Sequence, residues 1–558
     1  MGTPVQNLEK EHFPGWPRFR DALKKVNATH AVNVVRLFTH QVAQRNEGSF
    51  AGVSPIFDMN LHPVVKEWFL ELNLGELREA LSVSAREGIL HLLRSACAQV
   101  SQLRDSHDAL SGRLELPAEL RYERLLRKLW FTHLEQLGTT WAPKLEIGRS
   151  RRMFVEIWAL LLSDERIRVA SLGRTAFLDI SNRLLLIMGL WQSAGYHPDI
   201  RILMKPTAFG EAQLSTIMET AFPALQEVQG ELGKVPAYPR TIQNLFHRYP
   251  IVRVGEWGLL APLPHLMLQW WDLQNLFDAM ECAIANLGER SGAVQFYRAL
   301  GLVAEEYMRD LLREIASASE QVEFVAPFDF LPGHESPDGF LHCQDNRAVI
   351  FESKCYRIPQ RHYESVKLDD FLSWFSNLLG ANDSGRLPLR QGQAFFSEWL
   401  ASNDSIARNL RGAVADKSLY VIVSYEDVPF FVSMKRFRNW YRTKLENETL
   451  DLWSKTLVIS IRDLEVFAAA ARVAGETEGP PLPFSPAGIL ADYLHYQNTA
   501  PDAEETTGNK MVKSGLGAWL IGRWPAVSRS EPRVTEAARD RLFQAMHRAG
   551  FPSDQPAN

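Results

Sequence analysis

The stretch SPDGFLHCQDNRAVIFESKCYR (336–357) holds the residue types and spacing that could do chemistry. AVIFESK reads as a buried β run that ends in Glu352, Ser353 and Lys354. Alternate residues of a strand share a face, so Glu352 and Lys354 point the same way. Asp338 follows Pro337 at the entry to a shorter run, GFLHC, and QDNR (344–347) reads as the turn between the two. A hairpin here brings Asp338 beside Glu352, so two carboxylates and an ammonium converge at the end of an apolar sheet. Hard oxygen ligands of this kind suit Mg²⁺, which takes one or two carboxylates plus waters and substrate phosphate. The Ser353 carbonyl is a candidate further ligand. A lysine beside such an ion can orient the attacking water and offset phosphate charge. The chemistry expected is metal-dependent hydrolysis of a phosphodiester, with Mg²⁺ or Mn²⁺.

Glu352-Ser353-Lys354 is the only (Asp/Glu)-x-Lys triplet in the chain. Thirteen residues separate Asp338 from Glu352. With Pro337-Asp338 at this spacing, the stretch resembles the PD-(D/E)XK nuclease superfamily. The resemblance covers about residues 291–475, a third of the chain. It implies a restriction-endonuclease-like mixed sheet flanked by helices, with Asp338 and Glu352 as metal ligands and Lys354 as the catalytic lysine. It also implies an acid on the preceding helix, LGLVAEEYMRDLL (300–312), where Glu305 matches first and Glu306 second. A functional glutamine on a following helix is carried by RQGQAFFSEW (390–399), with Gln393 preferred to Gln391. Nucleic acid is the implied partner, DNA ahead of RNA.

Plainer readings stand beside these. S-P-D-G is sufficient turn chemistry for Asp338. Glu305 and Glu306 also fit a solvated helix face. Cys343, Cys355, His334, His342 and His362 lie near the motif without zinc spacing, since none of the four cysteines forms C-x-x-C.

Two basic clusters could meet phosphates. Arg357, Arg361 and Lys367 follow the motif directly. MKRFRNWYRTK (434–444) carries Lys435, Arg436, Arg438, Arg442 and Lys444 among Phe437, Trp440 and Tyr441. Cations with interleaved aromatics suit a nucleic-acid strand. An amphipathic surface helix with its aromatics in the core fits equally. A smaller knot, Arg149, Arg151 and Arg152, reads as a solvated helix cap.

The elements that must position these residues follow from periodicity. The chain has 558 residues, 46% hydrophobic and 23% charged, which suits several globular domains rather than a disordered chain. The net charge of −5 excludes a globally basic binder but permits a local basic groove. Residues 1–290 read as a mainly helical region that recognises, senses or binds a partner. Helical patterns cover 74–103, 119–138, 150–164 and 176–192, and a small hairpin is expected within 249–271. Residues 291–475 alternate: a helix at 293–318, apolar runs at 322–330, 339–343 and 348–356, helices near 368–380 and 391–402, a strand in 418–433, and a strand turning into a helix at 456–474. The fold class expected is α/β (α+β), multidomain, with an all-helical N-terminal region ahead of the mixed sheet. Residues 476–558 read as a linker and small helical extension, with a last helix at 534–550.

The N-terminus lacks a signal-peptide layout, and no apolar run reaches the length of a membrane span. A cytoplasmic protein is expected, one that fits possible self-association. No phosphate-binding G-x-x-x-x-G-K-[ST] loop is present. Helical region plus nuclease resembles restriction or anti-phage defence effectors of bacteria. A scaffold subunit with the same fold, an effector held off by its helical half, and a DNA-repair nuclease are the alternatives.

Overall fold

A computed structural model describes residues 16–45, 64–72, 83–112, 222–234, 249–255, 258–263, 290–331, 336–355, 368–379, 388–425, 435–445, 450–476, 485–499 and 515–529, with isolated positions between. The expected helices at 119–138, 176–192 and 534–550 lie largely outside these residues. The chain divides into two compact units. The first comprises Met1–Pro143 and Ser171–Ala283, the second Lys144–Ala170 and Ile284–Asn558. The second unit therefore takes in both a segment from inside the expected N-terminal region and the expected C-terminal extension.

In the first unit, helices α1 (Trp16–Leu23), α2 (Ala28–Arg45), α3 (Val83–Gly112) and α4 (Leu225–Lys234) contribute to one core. Val35, Trp68, Phe69, Leu93, Val100 and Leu232 are buried in it. This unit is not all-helical. Strands β1 (Ile202–Leu203), β2 (Val252–Val254) and β3 (Gly258–Leu260) form a small antiparallel sheet in the order β1-β3-β2. The β2–β3 hairpin is the one expected within 249–271.

The second unit is built on a five-stranded sheet in the order β4-β5-β6-β7-β8. Its strands are β4 (Val322–Val325), β5 (Gly339–Cys343), β6 (Arg347–Lys354), β7 (Leu419–Ser424) and β8 (Thr456–Ser460). The first three pair antiparallel, and β6, β7 and β8 run parallel. LYVIVS and TLVIS are buried at every position, as strands covered on both faces require. The turn after β5 closes through Asn346 at φ 62°, a conformation that asparagine tolerates.

Register decides which side chains share a face. Gly339 pairs with Phe351, and a Cβ on Gly339 would lie 2.9 Å from Leu312. That face therefore meets the long helix α5 (Arg290–Ser317), against which α11 (Ile461–Glu476) also packs. Phe340 pairs with Ile350 on the other face, where its ring lies 5.4 Å from that of Phe395. Phe395 belongs to α7 (Pro388–Leu400), which follows α6 (Leu368–Leu379) in the crossover from β6 to β7. Gly392 is what lets α7 settle there: a Cβ would meet the Tyr420 ring at 2.7 Å.

Helices α8 (Asp404–Asn409), α9 (Lys435–Arg442) and α10 (Leu450–Ser454) complete the crossovers. Beyond α11, α12 (Pro486–Thr499) lies against β5 and β6, and α13 (Leu516–Arg523) packs on α11. Among the described residues, no helix is long and apolar enough to cross a membrane.

Candidate active site at the carboxyl ends of two parallel strands

Glu352 and Lys354 close β6 at the carboxyl end of the parallel set, where open sheets commonly bind ligands. Both lie on the α7 face with Ile350, as do Tyr420, Ile422 and Ser424, their register partners on β7. Asp338 stands one residue before Gly339, so continuing the hairpin register sets it opposite Glu352. Its Oδ2 accepts the Ser353 N–H at 2.7 Å. The expected hairpin thus brings all three sequence-predicted groups together.

Glu352 is 3% exposed, and Lys354 reaches its Oε1 from 2.8 Å. The second carboxylate oxygen, Oε2, is buried with no hydrogen-bond partner. Burial, then the Asp338 charge, pushes the Glu352 carboxyl up to about 8 against the pull of Lys354, with Glu305 adding a smaller push. Burial works against the Lys354 ammonium, but Glu352, Asp338 and Glu305 together hold it above the usual lysine range. A buried carboxylate, a second carboxylate and one ammonium are therefore gathered at this strand end.

The donor set suits a hard divalent ion. Two carboxylates repel one another, and one of their oxygens is stranded in a low-dielectric setting, the cost a cation relieves. The Tyr425 N–H bonds the Lys354 carbonyl on the β7 side, and carbonyl direction alternates along a strand. The Ser353 carbonyl therefore points toward β5, where Asp338 lies. Asp338, Glu352 and the Ser353 carbonyl would hold the ion, with water completing the shell. Among the described residues, no group of three or more His, Cys, Asp and Glu side chains could hold a metal ion.

Glu305, on α5, is the acid whose charge reaches Glu352 and Lys354. Glu306 instead faces Arg309 and Arg313, at 3.2 and 2.9 Å. The preferred member of that pair is the one nearer the site.

For the glutamines the preference reverses. Gln393 Nε2 donates to Ser397 Oγ at 3.3 Å on the exposed side of α7. Gln391, one turn before Phe395, has a buried Oε1 without a partner. Helical phase could have separated the two glutamines, since Gln391 shares its stripe with the aromatic Phe395.

The sequence reading missed three further groups. Ser424 is fully buried, and its Oγ has no partner. Tyr420 donates to the Pro388 carbonyl at 2.7 Å, and burial with the Glu352 and Asp338 charges raises its phenol well above the ordinary range. Arg309 donates from Nε to the Asp338 carbonyl at 2.9 Å, with Nη2 3.9 Å from Asp338 Oδ1 and 3.5 Å from Glu305. Pairing across the sheet alone could have flagged Ser424, and nothing local could have flagged Arg309.

The basic helix α9 splits. Arg438 is 7% exposed, and its guanidinium donates to the Thr456 carbonyl at 2.6 Å and to the Trp453 carbonyl. It lies 4.7 Å from the centre of the Trp453 ring, and burial pulls it down to about 10. Arg438 is a core residue and not the phosphate ligand expected from the sequence. Phe437 and Tyr441 are buried with it, whereas Lys435, Arg442 and Lys444 are exposed, and Lys444 lies 4.7 Å over Trp440. Arg436 is half-buried. Arg357, Arg361 and Lys367 lie outside the described residues.

No known protein family, curated protein or solved structure matches the chain.

Proposed function

We propose that the second unit hydrolyses phosphodiester bonds in nucleic acid, DNA ahead of RNA, as a nuclease of the PD-(D/E)XK type. One observation carries this reading. A buried carboxylate with a stranded oxygen, salt-bridged to a lysine two residues on, sits opposite a second carboxylate at the carboxyl end of a parallel strand pair. Structural ion pairs rarely leave a buried carboxylate oxygen unsatisfied.

In this reading Asp338 and Glu352 hold Mg²⁺ or Mn²⁺, which would supply Lewis acidity and a more acidic water. The chain's own groups do the rest. Lys354 presents its ammonium to the phosphate and orients the attacking water; the water oxygen bonds phosphorus as the bond from phosphorus to the sugar oxygen breaks, the water sheds a proton to solvent, and the departing sugar oxygen takes one from solvent. Ser353 fixes the Asp338 carboxylate through its amide. Glu305 adds negative charge at the rim. Lys435, Arg442 and Lys444, with Trp440, offer phosphate and base contacts away from the chemistry. Restriction or anti-phage defence in a bacterial cytoplasm is the setting that a helical unit joined to such a nuclease suggests.

Wild type and Lys354→Ala, incubated with supercoiled plasmid, linear duplex, single-stranded DNA and RNA under Mg²⁺, Mn²⁺ or EDTA, test the proposal. The expected result is metal-dependent cutting by wild type that falls at least about 100-fold in the variant. Cutting that survives in EDTA or in Lys354→Ala would assign the activity elsewhere.

A further inference from the structure

The segment 144–170 interrupts the first unit in sequence and belongs to the second. Its described residues reach the site's supports from two directions. Arg152 donates to Glu156 at 2.9 Å and to Asp310 on α5. Asp310 meets Arg313 at 2.5 Å, and Arg313 meets Glu306 at 2.9 Å. Glu306 meets Arg309 at 3.2 Å, and Arg309 holds the Asp338 carbonyl at 2.9 Å. Charges alternate at every step, and the relay runs from buried Asp310 through the half-exposed Arg313 and Glu306 to Arg309. On the other flank, the Tyr425 hydroxyl meets Met153 Sδ, while the Tyr425 N–H bonds the Lys354 carbonyl at 3.1 Å. Arg149 anchors the segment by a 2.7 Å ion pair with Glu465, both 2% exposed, and Tyr307 donates to the same carboxylate at 2.6 Å.

We propose that Arg152 and Met153 are positioning residues: Arg152 sets Asp338 through the relay Asp310–Arg313–Glu306–Arg309, and Met153 sets Lys354 through Tyr425. The proposal rests on reading Asp338, Glu352 and Lys354 as the working groups. It goes further in giving a segment tied by sequence to the first unit control over their geometry. A surface ion-pair string would do nothing of the kind. This one ends on the backbone of one carboxylate residue and on the strand end that carries the lysine.

The structure supplies a readout that needs neither metal nor activity. The Ser353 N–H is donated to Asp338 Oδ2, so its hydrogen exchange reports where that carboxylate stands. The Tyr425 N–H reports the Lys354 end in the same way. Amides of Ile350 and Val421, inside the sheet, serve as the folded reference. Exchange is measured on the full chain without divalent ions. Arg152→Met is combined with Glu156→Gln, so that Asp310 keeps Arg313 and no acid is stranded. Ser353 is expected to exchange about tenfold faster while Ile350 and Val421 stay within about twofold, a coupling of ordinary size. Arg152→Lys is expected to restore most of the protection, and Glu156→Gln alone to leave it intact. Met153→Ala is expected to speed Tyr425 selectively.

If the double variant does not fold, Arg313→Gln, at the half-exposed middle of the relay, carries the same expectation. Ser353 exchange that merely tracks Ile350 in the folded variants overturns the proposal. The nuclease reading stands or falls separately, on the Lys354→Ala assay.

Discussion

Glu352 combines a charge cost with an unsatisfied oxygen, and the sign of its pH dependence follows. Its carboxyl is raised from 4.5 to about 8 in the fold. Between those values the folded chain holds a proton that the unfolded chain has released. Stability therefore falls as pH rises through the window and levels off above it. Glu352→Gln removes that dependence. Without divalent ions, its melting temperature relative to wild type is expected to rise between pH 5 and pH 8, by roughly 5 °C. A gap that stays constant would mean that Glu352 ionises normally. Ser424 makes a complementary case. A buried hydroxyl without a partner costs about 1–3 kcal/mol, so Ser424→Ala is expected to leave the melting temperature unchanged or raised. If the hydroxyl serves the reaction, cutting slows about tenfold in the same variant; a lower melting temperature would give it a structural partner instead.

At the scale of elements, what was legible depended on the range of the interactions. Period-two alternation and apolar runs were enough for β5, β6 and the turn at Asn346, and hence for the meeting of Asp338, Glu352 and Lys354. The strand in 418–433 was legible only in part, since β7 ends at Ser424. Arg438 was not legible. Amphipathic spacing buries Phe437 and Tyr441, but Arg438 is drawn inward by carbonyls of Trp453 and Thr456, 15 and 18 residues on. The same helix yields a test. Replacing Lys435, Arg442 and Lys444 with alanine is expected to weaken duplex binding uniformly across sequences. It should also flatten the slope of log K against log salt by about 2–3, near 0.9 for each phosphate no longer neutralised. An unchanged slope would take α9 out of the nucleic-acid interface.

For the whole molecule, the compact units meet in sequence at Ala283 and Ile284, and the second also takes in 144–170, which the sequence pattern did not separate. Residues 150–164 carry the same helical period as their neighbours, and nothing in that period says which core it joins. Arg149 and Arg152, read as a solvated knot, instead hold Glu465 and Asp310. Two separate cores predict distinct heat-absorption transitions in calorimetry of the full chain. Mg²⁺ or Mn²⁺ at about 100 times its dissociation constant should raise one of them by an amount worth about 2.7 kcal/mol, and leave the other in place. The shift should vanish in Asp338→Ala; a shift of both transitions, or its survival in that variant, would locate the cation elsewhere.

The bond from Arg149 to Glu465 spans 316 residues. On a ribosome adding ~5–20 residues per second, Glu465 emerges roughly 15–60 s after Arg149. The sheet strand β8 and the anchor of segment 144–170 thus form well after the segment itself has been made. A chain released before Glu465 lacks that anchor, so the supports of the carboxylate pair assemble only after residue 465 has been made.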